Sequence, residues 1–208
     1  MTKFIRIILN LFVVWLLSLT SCKKDAPLKP LPILPIAGNY NPLNIGTVRT
    51  YCNESEELRI DTISEIISGD SVLNGRIYKN LKIGFSNPEP MFCKEGNNYY
   101  EVYRTTSFNT EVLMLKDNVQ VGTTWEDQLD FMGFDKIKHT VEQVNIDKQV
   151  DKISFKNVIH IRSIQANSNL IFNIIDSYYA KDIGLIYRSN VYNGPRYYKS
   201  SLINYNIK

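Results

Sequence analysis

Apolar and polar side chains alternate over short stretches of the chain from residue 58 onward. Such alternation places one row of side chains on each face of a β-strand, and Asn, Asp or Gly separates most of the stretches. Asn74-Gly75, between the first two stretches, predicts a tight antiparallel turn. The predicted strands are 58–67, 76–83, 91–95, 99–104, 111–115, 136–146, 155–165, 170–180, 184–190 and 196–205.

This pattern predicts an all-β fold. Beyond residue 22, no segment has apolar residues at i, i+3, i+4 and i+7 over about eleven residues, as an amphipathic helix requires. Within residues 136–142, Ile137, His139 and Val141 share one face of the strand and charged residues occupy the other. We therefore expect the charged face to be exposed to solvent. The pattern favours an antiparallel sandwich or a strongly curved, partly closed barrel of about ten strands.

Residues 1–21 have the composition of a signal peptide. Lys3 and Arg6 precede an almost wholly apolar run, 7–17, which is shorter than the roughly 20 residues of a membrane span. The Leu-Thr-Ser-Cys sequence that ends at Cys22 resembles the bacterial lipoprotein signal, in which the Cys is diacylated at sulfur and becomes the first residue of the mature chain. We therefore expect lipid on Cys22; the alternative is an ordinary cleaved signal that happens to contain a cysteine.

Residues 22–38 are expected to form a tether. Four of the chain's eight prolines lie between Pro27 and Pro35, a spacing that favours extended polyproline II and reaches up to about 50 Å from the lipid. A single β-rich domain is expected over residues 39–208. Lys23 stands where an Asp retains enterobacterial lipoproteins in the inner membrane, so the sequence predicts an outer-membrane anchor and a domain that faces the periplasm or the cell surface.

The charge balance excludes one class of partner. Without residues 1–21, the chain keeps 22 basic and 21 acidic side chains, a net charge near +1. A protein that binds nucleic acid neutralises several phosphates with a stripe of Lys and Arg, and the sequence has no such stripe. We expect no nucleic-acid partner; the membrane, reached through lipid on Cys22, is the partner that the sequence indicates.

The other two cysteines, Cys52 and Cys93, allow two interpretations. An even pair in an exported chain is compatible with a disulfide, which would close a loop of about 40 residues and stabilise the fold by roughly 3–4 kcal/mol. The alternative is two separate thiols that pack as small apolar side chains.

The signal, the Pro-rich spacer and three short segments resemble those of outer-membrane lipoproteins of Bacteroidetes-type bacteria. The segments are 42–46 (PLNIG), 121–125 (VGTTW) and 178–186 (YYAKDIGLI). The resemblance covers nearly the whole chain, although only the signal is a specific motif, and it implies a β-rich domain without supplying an activity. The third segment resembles a strand that leads through a tight turn into the next strand, so Gly184 is expected to be structural.

No catalytic motif is present in the sequence: it lacks Gly-x-Ser-x-Gly, His-Glu-x-x-His, a phosphate-binding loop and Cys-x-x-Cys. We expect His139 to be half-buried and His160 to lie with Arg162 on the solvent side of a strand. Two isolated histidines are too few for zinc, which takes three or four protein ligands. The sequence therefore predicts no catalytic residue, no metal and no cofactor.

Tyrosines are the remaining candidates for binding. They occur as adjacent pairs, whose members face opposite sides of a strand, so that each pair places one ring in the core and one outside. An outer row of rings would suit a glycan or an envelope protein; the alternative is that Tyr simply fits half-buried strands. The tentative binding residues are Tyr99, Tyr100, Tyr178, Tyr179, Tyr197 and Tyr198.

Three classes of function are compatible with these features. The first, which we favour, is a membrane-anchored lipoprotein that acts as a noncatalytic binding or interaction module of the cell envelope. The second is a carrier whose curved sheet encloses an apolar ligand. The third is a hydrolase whose site has no known motif. A pocket of apolar walls would support the carrier, whereas one that gathers a histidine and carboxylates would support the hydrolase.

Overall fold

The computed structural model describes residues 38–56, 60–84, 89–104, 109–129, 136–167, 170–192 and 197–208. Every regular element in these ranges is a β-strand, so the all-β prediction is confirmed, with twelve strands in place of about ten. The strands are β1 (Val48–Ser55), β2 (Ile60–Leu73), β3 (Arg76–Ile83), β4 (Met91–Glu95), β5 (Asn98–Arg104), β6 (Asn109–Lys116), β7 (Thr124–Gln128), β8 (Lys136–Val150), β9 (Ile153–Ala166), β10 (Ile171–Ala180), β11 (Gly184–Tyr192) and β12 (Tyr197–Asn206).

The strands form one antiparallel sheet in the order β6-β5-β4-β3-β2-β1-β12-β11-β10-β9-β8-β7. All neighbours are consecutive in the chain except β1 and β12, which pair from Val48 to Ser55. The two edge strands, β6 and β7, contact each other. The sheet therefore curls into a nearly closed, barrel-like form, which is the second of the two predicted architectures.

Side chains close the seam between β6 and β7, where the described strands have no ladder of main-chain bonds. Trp125 Nε1 donates to the Leu113 carbonyl at 2.6 Å, and the Leu113 N–H donates to the Asp127 carboxylate. The Lys116 ammonium lies 5.3 Å from the centre of the Trp125 ring. Two side chains of β7 thus satisfy the main chain of one residue on β6, which would otherwise be left unpaired at an edge.

Two expectations from the sequence hold at the level of single residues. Asn74 and Gly75 have φ of 51° and 78°, the left-handed conformation at both positions that a two-residue hairpin turn requires. On β8, Ile137, His139 and Val141 are all buried, whereas the alternate lysines are exposed. The period-2 pattern therefore gives the correct faces for this strand.

The hairpin of β8 and β9 is irregular and bends. Its register shifts three times between residues 141 and 148, and Asn145 and Asn157 both have φ of 54°, a conformation that Asn tolerates better than most residues. Near its tip, Val150 and Phe155 are buried in one apolar cluster with Leu202 of β12. Burial of side chains of this size stabilises the fold by about 1.5–3 kcal/mol each.

The segment that enters the domain, Gly38–Asn41, is called the N-terminal strap below. The Asn39 N–H donates to Asp182 Oδ1 at 3.0 Å, and the Asp182 N–H donates back to the Asn39 carbonyl at 2.6 Å. The Tyr40 N–H donates to the hydroxyl of Tyr99 at 3.1 Å, and the Tyr40 side chain is fully buried. The strap therefore joins the β10–β11 turn to β5.

Tyr40 belongs to a hydrophobic cluster of the core that contains four aromatic residues. Burial, followed by the charges of Asp117 and Asp182, raises the pKa of Tyr40 to about 12. The cluster includes residues of β5 to β10, and its other members are Tyr99, Leu115, Trp125, Val141, Val144, Ile159, Ile161 and Tyr179.

Candidate functional site: a polar cavity inside the sheet

A cavity of about 120 Å³ lies inside the sheet. Its wall combines apolar side chains with four acidic or basic ones, an uncommon content for the interior of a small β domain. The acidic and basic residues are Arg49, Glu65, Glu101 and Arg188, and the apolar ones include Leu43, Ile67, Leu81, Ile83 and Leu185.

Arg49 of β1 is fixed in the cavity wall by main-chain carbonyls. Its Nε donates to the Ile183 carbonyl at 2.9 Å and its Nη2 to the Pro42 carbonyl at 2.6 Å, and the residue is only 4% exposed. Gly184 packs against the guanidinium: a Cβ there would lie 2.9 Å from Arg49 Cζ, and the φ of +106° also favours glycine. Gly184 is therefore structural, as the sequence predicts, and it makes room for the Arg49 side chain.

Glu65 of β2 lies directly opposite Arg49 in the β1–β2 register. Burial raises the pKa of the Glu65 carboxyl; the guanidinium groups of Arg49 and Arg188 act in the opposite direction, and the charge of Glu101 adds to the increase. Burial prevails, so the carboxyl takes up a proton at a higher pH than a solvent-exposed Glu. A carboxyl of shifted pKa inside a cavity is a recognised marker of a functional site.

The cavity can recognise a polar molecule by both donors and acceptors. Arg49 and Arg188 supply guanidinium N–H groups, and Glu65 and Glu101 supply carboxylate oxygens. Arg188 is positioned by a hydrogen bond from its Nε to Ser177 Oγ at 3.3 Å. Such convergent polar groups in a partly apolar concavity are typical of small-molecule sites.

The four acidic and basic residues of the wall were not among the sequence candidates, although part of the signal is present. Glu65 is in phase with Ile63 and Ile67 on one strand, and Glu101 is in phase with Tyr99 on another. A charge at a period-2 position otherwise occupied by core residues indicates an inward-facing polar group. Nothing in the sequence shows that these positions of different strands meet.

Two of the predicted tyrosines are in the core. Tyr99 is 1% exposed and Tyr179 is 5% exposed. The Tyr99 hydroxyl accepts hydrogen bonds from the Tyr40 N–H and from Lys94 Nζ, and it donates to Asp117 Oδ2 at 2.8 Å. Burial and then the hydrogen bond to Asp117 raise the pKa of Tyr99. Neither ring offers an outer surface, but Tyr179 also lines the polar cavity.

Their partners in sequence, Tyr100 and Tyr178, are half-buried, and each packs against an apolar cluster, so each pair has one core ring and one partly exposed ring. The Arg76 guanidinium lies 4.9 Å from the Tyr100 ring centre. The Tyr178 ring stacks on His160 at 4.2 Å, and the Lys148 ammonium lies 4.1 Å from its centre. The parallel stack occupies one face of Tyr178, so Lys148 must cover the other.

The third pair, Tyr197 and Tyr198, does not divide in this way, because both side chains are half-buried. The Lys199 ammonium lies 5.1 Å from the Tyr197 ring centre. Burial and then the charge of Asp61 raise the pKa of Tyr198. A role for the outer tyrosines in binding remains a prediction.

His139 is more deeply buried than expected. It is 0% exposed rather than half-buried. Its Nδ1 is 2.7 Å from Ser163 Oγ, and its ring stacks on Trp125 with centres 5.1 Å apart. Burial, and then the charge of Arg188, lowers the pKa of His139 to about 4, so the imidazole is neutral at pH 7.

His160 lies with Arg162, as expected, since both donate to Asp176. The distances to Asp176 Oδ1 are 2.7 Å from His160 Nε2 and 3.0 Å from Arg162 Nε. On this outer face, stacking against Tyr178 leaves His160 only 6% exposed, so the ring is covered although it lies on the predicted side of the strand.

Cys52 and Cys93 are free thiols, and so the structure has the second of the two predicted alternatives. Cys52 is on β1 and Cys93 on β4, with β2 and β3 between them. Three strand spacings correspond to about 14 Å, whereas a disulfide requires Cα atoms within about 7 Å. Burial raises the pKa of the Cys93 thiol.

Cys22, the predicted lipidation site, lies outside the described residues.

In the part of the chain that the structure describes, no group of three or more His, Cys, Asp and Glu side chains could hold a metal ion. The same ranges contain no helix that is long and apolar enough to cross a membrane.

Comparison with protein-family models found no match, and comparison with curated proteins found none either. Among solved structures, the chain is similar to a predicted lipoprotein from Parabacteroides distasonis ATCC 8503, with 9% identity and a TM-score of 0.44. It is also similar to a predicted exported protein with a YmcC-like fold from Bacteroides fragilis NCTC 9343, with 8% identity and a TM-score of 0.48. Each match covers 82% of this chain and 100% of the other chain.

Proposed function

We propose that this protein is a lipid-anchored protein of the cell envelope whose β domain binds a small polar ligand without transforming it. Lipid on Cys22 and the Pro-rich tether of residues 22–38 would attach the domain to the outer membrane. The observation that carries the binding role is the cavity of about 120 Å³ with its paired guanidinium and carboxyl groups.

The composition of the cavity wall favours a polar ligand over an apolar one. An acyl chain in this cavity would cover the charged groups of Arg49 and Glu65 without offering them any hydrogen bond, and desolvation of a charge costs several kcal/mol per ion. A volume of about 120 Å³ is also too small for a lipid tail. The apolar-carrier alternative is therefore the weaker one.

The hydrolase alternative has little support from the histidines. Neither His139 nor His160 lines the cavity. His139 is packed against Ser163 and Trp125, and His160 is bonded to Asp176, so each ring has a structural role in the described part of the fold. Noncatalytic binding requires only the cavity and its fixed polar groups.

The proposed anchor is tested by Cys22→Ser. The variant should leave the membrane fraction and should no longer incorporate a palmitate analogue, because the sulfur that carries the lipid is gone. Unchanged labelling and membrane retention would contradict lipidation at Cys22.

The proposed ligand site is tested by filling the cavity. Ile83 lines it, whereas Ile77, on the same strand, is 61% exposed. Full chains with Ile83→Phe, with Ile77→Phe as the matched control, and without substitution should be purified from the native cells and denatured. We expect mass spectrometry to detect the same small polar molecule from the unsubstituted chain and the Ile77→Phe control, but not from Ile83→Phe. Equal release from all three would contradict the site.

A further inference from the structure

Arg49 and Glu65 place opposite charges side by side in the cavity wall. They are opposite each other on β1 and β2, at a separation of about 5 Å between Cα atoms. The hydrogen bonds of the Arg49 guanidinium go to the main-chain carbonyls of Ile183 and Pro42. Both side chains line the cavity, so the space beside them suits a molecule that accepts from the guanidinium and donates to the carboxylate.

The charges of the wall restrict that molecule further. Two guanidinium groups and two carboxyl groups line the cavity, so the ionised wall is neutral as a whole. A ligand with a single charge would place a net charge in a buried site, at a large desolvation cost. A zwitterion adds no net charge, and each of its ends meets a wall group of opposite sign.

The size and the spacing of the site favour a compact zwitterion. An engineered apolar cavity of roughly 150 Å³ holds benzene, with its six carbons, so about 120 Å³ suits roughly five or six non-hydrogen atoms. Arg49 and Glu65 are on adjacent strands, and hence the two charges of the ligand must also be close together. Ile67 and Leu81 offer an apolar wall for a short side chain.

From these observations we infer that the cavity binds a small α-amino acid, with its carboxylate on the Arg49 guanidinium and its ammonium group on the Glu65 carboxylate. This inference rests on the proposed function, since it names the class of polar ligand that the same cavity takes.

Calorimetric titration of the full chain in detergent tests the ligand class. The probes are L-alanine, propionate without an ammonium group, ethylammonium without a carboxylate, neutral acetamide, and L-leucine, which has the same charges in a larger body. We expect saturable binding of alanine and at least tenfold weaker binding of the other four. Binding of acetamide or of a singly charged probe without alanine would overturn the amino-acid assignment and leave a polar-ligand cavity standing.

A substitution of Glu65 tests the placement. Glu65→Gln keeps the size of the side chain and removes the charge that meets the ammonium group, so alanine binding should weaken about ten- to hundredfold. Glu126→Gln on the exposed part of β7 is the matched control and should bind as the unsubstituted chain does. Equal alanine affinity in both variants would overturn the placement.

The two experiments together separate this inference from the proposed function. If alanine does not bind but the unsubstituted chain releases another small polar molecule, only the amino-acid assignment is overturned. If alanine does not bind and no small polar molecule is released, the proposed function is overturned as well.

Discussion

Two regions, one on each face of the sheet, contain the same three kinds of side chain. In each region a histidine stacks on an aromatic ring and lies beside an aspartate. In the inner region, His139 stacks on Trp125 with centres 5.1 Å apart and its Nε2 is 3.8 Å from Asp127 Oδ2. In the outer region, His160 stacks on Tyr178 with centres 4.2 Å apart, and His160 Nε2 is 2.7 Å from its aspartate oxygen.

The inner distance is too long for a hydrogen bond, whereas the outer one, about 1 Å shorter, is typical of a hydrogen bond to a carboxylate. Inside, burial raises the pKa of Asp127 and lowers that of His139 to about 4, so both groups resist ionisation. Outside, burial also raises the pKa of Asp176, but hydrogen bonds from His160 and Arg162 outweigh it and the pKa ends below its ordinary value. The inner region therefore contributes through packing, and the outer one through charge.

The largest expected difference between the regions concerns their aromatic rings. Trp125→Ala removes a buried ring, its hydrogen bond to Leu113 and the closure of the seam, and it should lower the free energy of unfolding by about 3–5 kcal/mol. Tyr178→Ala, at a half-buried ring, should cost about 1–2 kcal/mol. Urea titrations of both variants measure these values. Equal losses would contradict the assignment of packing to the inner region.

The next effect is a dependence of stability on pH that comes from the inner histidine. Unfolded His139 takes up a proton below about pH 6.5, but the folded group does so only below about pH 4. The unfolded state therefore binds more protons in this window, and stability should fall as the pH decreases through it, by roughly 2 kcal/mol between pH 7 and pH 5.

His139→Gln isolates this contribution, because Asp127, with its raised pKa, acts in the opposite direction in both proteins. Urea unfolding at pH 7 and at pH 5 should show a smaller loss for the variant than for the unsubstituted chain. The same loss in both would mean that His139 does not titrate as described.

A smaller effect is expected at the outer aspartate. Asp176→Asn removes the charge that accepts from His160 and Arg162, and it should cost about 1 kcal/mol at pH 7, since the carboxylate is partly exposed. Because the folded pKa of Asp176 is lowered, its contribution is present above about pH 4 and is lost as the pH falls through the folded value. The deficit of the variant should therefore shrink at low pH. A deficit independent of pH would contradict a role for charge.

The smallest effect is expected for Arg162, whose side chain is 44% exposed. Arg162→Ala should lower the free energy of unfolding by less than about 1 kcal/mol, and added salt should diminish the difference. Lys156→Ala, at another exposed position of the same strand, is the control for loss of a surface cation. A loss as large as that of Trp125→Ala would place Arg162 among the packing residues.

The sequence was informative where strand faces follow a simple alternation and misleading where the interior is polar. Ten of the twelve strands are predicted, but β1 and β7 are not. The buried positions of β1 include Arg49 and Asn53 beside Tyr51, and β7 has Trp125 as its single large apolar residue, so neither strand shows an apolar row.

The candidate site was less predictable than the fold for a related reason. The cavity forms because β1 pairs with β12, a contact between residues about 150 positions apart. A local pattern can place Glu65 on an inner face, but it does not contain the register that brings Arg49 and Arg188 to the same space. The depth of His160 depends likewise on Tyr178, which belongs to a different strand.

The N-terminal strap has a mechanical consequence. Among the described residues, the first main-chain hydrogen bonds that a pull from the N-terminal side meets are those of Asn39 and Tyr40, to Asp182 and to the Tyr99 hydroxyl. To peel the strap away, the force must break these bonds and extract a fully buried tyrosine ring from the core. A pulling force on this side of the domain would thus act on a segment fixed in the core rather than on an edge strand that could unzip.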